Sequence, residues 1–152
     1  MIATPVADPS RRALLLDTNV WIASAIREEP AFAETVAFLA RLHAAQVRIA
    51  FPDIVRLELA CALARRAGAA TATTVLRSVV GRPGVHDVAV SSNAVRAAAL
   101  LGMQTRLRAF DALLVTIARV ESVPLVTWDQ EIVRRGGGLT PPAWLARHDP
   151  VA

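Results

Sequence analysis

Short continuous apolar runs alternate along this chain with longer stretches in which apolar side chains recur every three or four positions. The first pattern is that of buried strands and the second that of amphipathic helices. Leu14, Leu15 and Leu16 form the first run, which predicts a strand over 13–16; it ends abruptly in Asp17, Thr18 and Asn19, and a helix is expected over 18–27. Glu28, Glu29 and Pro30 interrupt the chain before a second helix over 31–45, marked by Phe32, Val36, Leu39 and Leu42. A strand over 47–51 is closed by Pro52, and Asp53 is the expected cap of a helix reaching Ala67 before Gly68. A fourth helix over 69–80 is closed by Gly81, Arg82, Pro83 and Gly84, and residues 85–90 alternate as a third strand. Ser91 and Ser92 are cap candidates for a helix that Gly102 should end at Leu101. Another helix is expected over 106–121, a fourth strand over 124–127, and a short helix from Asp129 to Arg135 that Gly136, Gly137 and Gly138 break. A proline-rich tail carrying Trp144 follows. Strands alternating with helices imply a parallel sheet covered on both faces.

A length of 152 residues predicts one domain, here 13–152, behind a loose lead over 1–12. That lead contains Pro5, Asp8 and Pro9 and has no apolar segment of a signal peptide. Hydrophobic residues make up 54% of the chain, yet no apolar run approaches the ~18 residues of a membrane span. The surplus is therefore assigned to the core plus a partner surface, and Trp21 and Trp144 fit either role. Cys61, the only cysteine, lies in an apolar helix pattern and reads as a buried thiol in a reducing cytoplasm. The net charge of +4 is carried by 17 arginines without a single lysine. The missing lysine excludes a P-loop, a Schiff base and a Ser-Lys pair. The arginine bias has two readings: codon usage in a GC-rich genome, or phosphate recognition by planar guanidinium groups.

Four carboxylates stand in unusual places. Asp17 and Asp129 each follow a short apolar strand, the edge where open α/β sheets bind ligands. Glu58 has Ile54, Val55, Cys61 and Ala62 one turn away, and a carboxylate on an apolar helical face is costly unless a cation or a hydrogen bond meets it. Asp111 lies in the pattern Arg108-Ala109-Phe110-Asp111-Ala112-Leu113. Helix capping competes as an explanation for Asp17, Asp111 and Asp129, and an ion pair or plain exposure competes for Glu58. Gathered at one sheet edge, the four would repel one another unless a divalent cation lay between them, and oxygen ligands suit Mg²⁺ or Mn²⁺. Such a centre activates water against a phosphodiester without a protein nucleophile. His43, His86 and His148 are isolated and read as surface residues, and no Cys/His cluster supports zinc.

Leu16-Asp17-Thr18-Asn19, Leu57-Glu58-Leu59, Arg106 to Leu113 and Leu125-Val126-Thr127-Trp128-Asp129 together resemble the PIN-domain ribonucleases, most closely the VapC-type toxins of toxin–antitoxin pairs. The likeness covers about 14–135. It implies a three-layer α/β/α sandwich with a central parallel sheet of four to five strands and a Mg²⁺- or Mn²⁺-dependent endoribonuclease acting on RNA in the cytoplasm. It also implies a homodimer and a cognate antitoxin that covers the site. By position, Asp17, Glu58, Asp111 and Asp129 match the family's catalytic, metal-binding quartet, and Asn19 and Thr127 match its small polar accessory positions. The lead before the first strand departs from the family pattern. Arg106 and Arg108 flank Asp111 and are the candidates for holding RNA, since aromatic residues are only 5% of the chain and tyrosine is absent.

Two other readings keep the same fold: a PIN nuclease of RNA processing without an antitoxin, and a catalytically silent PIN-fold binding module. A haloacid-dehalogenase-type phosphatase would need an aspartate where Asn19 stands and a later lysine, and a receiver domain would need that lysine too.

Overall fold

The computed structural model describes residues 13–148; the expected lead over 1–12 lies outside the described residues. Strand β1 (Ala13–Leu16) is followed by α1 (Thr18–Ala25) and α2 (Phe32–Ala44), then β2 (Arg48–Pro52), α3 (Asp53–Ala67), α4 (Ala69–Val80) and β3 (Val85–Val88). Helices α5 (Ser92–Thr105) and α6 (Ala109–Val120) lead to β4 (Leu125–Val126), a π-helical turn over Ile132–Gly136 and α7 (Pro141–His148). All four strands are parallel, in the order β3-β2-β1-β4. Leu139 adds a single parallel bridge to Val126 beyond β4, which is all that remains of a fifth strand. Parallel crossovers are right-handed, so the steps to β2 and β3 place their helices on one face and the reversed step from β3 to β4 places α5 and α6 on the other. The result is the expected α/β sandwich around a central parallel sheet. Among the described residues no helix is long and apolar enough to cross a membrane.

The continuous apolar strands are buried on both faces: Leu14, Leu15, Leu16 and Phe51 are fully inaccessible. Trp21 and Trp144 are core residues, which decides between the two roles left open for them. Trp21 packs edge-on against Phe51 at 5.8 Å, and Trp144 packs edge-on against Phe38 at 5.9 Å, joining α7 to α2. The proline-rich tail thus forms a helix over Pro141–His148. Proline is tolerated in a first helical turn, and the Thr140 hydroxyl accepts a hydrogen bond from the Ala143 amide at 3.3 Å.

Several boundaries shift for local reasons. Pro52 occupies the N-cap of α3, so Asp53 is its first residue rather than its cap. Gly102 does not end α5; it lies inside the helix where α5 packs on α6, and a Cβ there would make an ordinary 3.5 Å contact with the Ala112 Cβ. The helix ends at Arg106 instead, in the left-handed conformation with φ 59°, and α6 starts three residues later than expected with Arg108 as N-cap. Cys61 is exposed, not buried. The inward stripe of α3 is Val55, Leu59 and Leu63, and Cys61 falls two positions off it. His43 and His148 are exposed as expected, whereas His86 is half-buried with its Nδ1 sealed from solvent.

Candidate active site at the carboxyl edge of the sheet

Strand order brings β1 and β4 side by side where the chain reverses direction across the sheet, and that is the crevice such folds use for ligands. Asp17 is pinned there: its amide donates to the Val126 carbonyl at 2.9 Å. Its side chain is only 7% exposed and makes no capping bond to α1, so the capping explanation fails for Asp17. Instead Asp17 Oδ2 accepts hydrogen bonds from the Thr127 hydroxyl at 2.7 Å and from Asn19 Nδ2 at 2.8 Å. Asn19 Nδ2 also reaches Thr127 Oγ1 at 3.1 Å, and Asn19 Oδ1 accepts from the Trp128 amide at 3.1 Å. Thr127 Oγ1 in turn accepts from the Asp129 amide at 2.9 Å. Asn19 and Thr127 thereby lock the start of α1 to the segment after β4 and fix the orientation of Asp17.

The other three carboxylates differ in their tasks. Asp129 does cap: its Oδ1 accepts from the amides of Glu131 at 2.7 Å and Ile132 at 3.4 Å, which leaves Oδ2 for another role. Asp111 is the third residue of α6 and not its cap. It is half-buried, and its Oδ2 is sealed from solvent with no hydrogen-bond partner among the described residues. Glu58 lies on the exposed side of α3, not on a buried apolar face, because the inward stripe passes through Leu59 instead. The hydrogen bond that a carboxylate there calls for is present: the Thr18 hydroxyl donates to Glu58 Oε2 at 2.6 Å.

Electrostatics tie the four together. Burial pushes the Asp17 carboxyl up to about 6, opposed by the Thr127 hydrogen bond and reinforced by the charges of Glu58 and Asp111. Asp111 is raised by burial first and then by Asp129, with Arg108 pulling the other way and Glu58 and Glu131 adding to the rise. Asp17 and Asp111 are thus each made harder to ionise by the carboxylates around them. A buried carboxylate oxygen without a donor, set among like charges, is a donor set suited to a cation. Among the described residues no three His, Cys, Asp or Glu side chains stand close enough to enclose an ion on their own.

Sequence reasoning did not single out Thr18, Glu131 or Arg135 for the site. Glu131 adds a fifth carboxylate near Asp111; it pairs with Arg135 at 3.0 Å and lies 4.0 Å from Arg108. Its spacing of four residues from Arg135 was the available signal. Arg108 is highly exposed and near Asp111, whereas Arg106 is an exposed helix-ending residue whose carbonyl accepts from Arg135 at 3.3 Å.

A parallel sheet in the order β3-β2-β1-β4, with its switch point between β1 and β4, defines an α/β protein of the open-sheet class, in which ligand sites lie beyond the strand ends. Within that class the PIN domain profile matches residues 14–138, and the chain belongs to the PIN domain family. The fold is shared with VapC20 of Mycobacterium tuberculosis, a Sarcin-Ricin loop cleaving toxin, at a TM-score of 0.71 and 14% identity over 84% of this chain and 97% of that one. It is also shared with VapBC2 of Rickettsia felis, solved bound to a DNA fragment from its promoter, at 0.64 and 17% identity over 84% and 96%. FitAcB of Neisseria gonorrhoeae matches at 0.61 and 19% identity over 86% and 98%. No curated protein matches the chain in sequence.

Proposed function

We propose that this protein is a metal-dependent endoribonuclease, the toxin of a toxin–antitoxin pair, with Asp17, Glu58, Asp111 and Asp129 as its metal-binding carboxylates. The observation that carries the reading is the Asp111 Oδ2, sealed from solvent without a hydrogen-bond partner among the described residues, on an edge where Asn19 and Thr127 hold the buried carboxylate of Asp17. When bound, Mg²⁺ or Mn²⁺ would polarise a phosphoryl oxygen and lower the pKa of a water for attack on phosphorus. Asn19 and Thr127 hold Asp17 in place, so no reorientation is needed when it serves as a ligand. Asp129 divides its oxygens, Oδ1 holding the following turn and Oδ2 left for the metal. The purified protein is expected to cleave RNA with Mn²⁺ or Mg²⁺ and not in excess chelator. Full cleavage in chelator, or activity with zinc alone, would overturn the reading.

Arg108, exposed beside Asp111, is the best-placed side chain for an RNA phosphate, with Arg106 as the second candidate. Replacing both with alanine is expected to weaken RNA binding and to reduce the salt slope by roughly 0.7 for each phosphate of a single strand that is no longer neutralised. An unchanged slope across a salt titration would reject both.

The partner surface that Trp21 and Trp144 do not supply lies on α5 and α6. Val95, Leu100, Met103, Phe110 and Val120 are all about half exposed or more, and an apolar groove of about 420 Å³ runs between these helices past Gly102 and Phe110. We assign this face to a homodimer. An antitoxin partner is supported by the shared fold of VapBC2 and FitAcB. Sedimentation is expected to give a dimer, and co-expression with a small adjacent reading frame a co-purifying complex in the cytoplasm. A monodisperse monomer that captures nothing would favour the RNA-processing reading.

A further inference from the structure

We infer that Thr18 is a positioning residue that sets the carboxylate of Glu58 for metal binding. This rests on the nuclease reading above and adds to it a residue outside the four carboxylates and their two accessory side chains. Thr18 is the first residue of α1 and is 3% exposed. Helical side chains tilt toward the N-terminus, so a side chain at this position projects past the start of α1 toward the sheet edge. The position also frees its hydroxyl. Thr73, Thr74, Thr105 and Thr116 each donate to the carbonyl four residues earlier in their own helix. Thr18 has no such carbonyl in α1, and its hydroxyl reaches across 40 residues of sequence to Glu58 Oε2 on α3 at 2.6 Å, a short O–H···O bond.

The consequence is specific to Glu58. Asp17 is already held by Asn19 and Thr127, and Asp129 by two amides. Glu58 has a longer side chain with more rotamers and sits on an exposed face, so it loses most by being left untethered. Thr18 thereby stands to Glu58 as Asn19 and Thr127 stand to Asp17, and orienting a ligand is how outer-shell groups tune a metal centre.

The test is Mn²⁺ binding by calorimetry on the full chain, beside thermal melting in chelator. Thr18→Val removes the hydroxyl at nearly constant volume and is expected to weaken Mn²⁺ binding about tenfold, the lower end for outer-shell residues. Thr18→Ser should bind within about twofold of wild type. The Mn²⁺ concentration for half-maximal cleavage should rise in parallel, with the KM for RNA unchanged. In a Glu58→Gln background Thr18→Val should weaken binding no further. A purely structural hydroxyl would lower the melting temperature in chelator and leave Mn²⁺ affinity alone. Should the valine variant misfold, Thr18→Ala deletes the same hydroxyl and carries the same expectation. Equal Mn²⁺ binding by wild type and a folded hydroxyl-deleted variant would overturn this inference alone. Failure of the wild type to bind Mn²⁺ would overturn it together with the nuclease reading.

Discussion

Asp111→Asn is expected to lower RNA cleavage by roughly 10²-fold to 10³-fold while leaving the fold intact. A metal centre supplies several kcal/mol of charge stabilisation, and each ~1.4 kcal/mol is tenfold in rate. The amide keeps the shape of the side chain but removes a charge that a divalent cation needs. Asp111 is the decisive position because nothing local requires its charge. It does not cap α6, and its Oδ2 meets no donor among the described residues. Burial, and then its like-charged neighbours Asp129, Glu58 and Glu131, already raise it, so the substitution relieves both desolvation and repulsion. Melting in chelator is therefore expected to stay within about 1 kcal/mol of wild type or to rise. Asp129→Asn is the matched control for capping, because asparagine caps as well as aspartate and the turn after it should persist. Cleavage at the wild-type rate by a folded Asp111→Asn variant would remove Asp111 from the site.

The second large effect is on stability. The Asp17 carboxyl is raised from 3.8 to about 6 in the folded protein, burial being the main cause. Below 3.8 both folded and unfolded chains hold the proton and the group contributes nothing. Between 3.8 and about 6 the folded chain keeps a proton that the unfolded chain has shed, so stability without metal falls as pH rises. Above about 6 the full cost is present; set against 3.8 it is of order 3 kcal/mol. Asp17→Asn removes this cost. In chelator at about pH 7.5 the variant is expected to melt several degrees higher, up to about 10 °C, with the difference shrinking toward about pH 5. Cleavage should be lost at every pH. Mn²⁺ competes with the proton for Asp17, so metal should stabilise wild type far more at about pH 7.5 than at about pH 5, and the asparagine variant hardly at all. Identical melting of wild type and variant at both pH values would show that Asp17 carries no buried charge.

Both expectations concern residues visible in the sequence, and the reason they were visible is local. A strand buried on both faces reads as an unbroken apolar run, so Leu14 to Leu16 and Leu125 to Val126 announce where their strands end, and Asp17 and Asp129 stand out against them. The alternation of strands and helices, the absence of lysine and the order of the four carboxylates needed nothing beyond neighbours in the chain. What needed the folded chain was non-local. The order β3-β2-β1-β4 decides that Asp17 meets Thr127 across 110 residues. Capping, a plausible role for three aspartates from sequence, is realised by Asp129 and not by Asp17 or Asp111, because the choice depends on where each side chain finds donors. Cys61 and Glu58 look buried in a helix rich in apolar residues, but the phase set by Val55, Leu59 and Leu63 leaves both outside. Gly102 reads as a stop but lies inside α5, which runs on to Thr105 because its packing on α6 outweighs the local preference of one glycine. Composition divided an apolar surplus between core and partner surface without saying which residues go where; tertiary structure put Trp21 and Trp144 in the core and left Met103, Phe110 and Val120 outside, because the side of a helix that faces solvent is settled by what packs on the other.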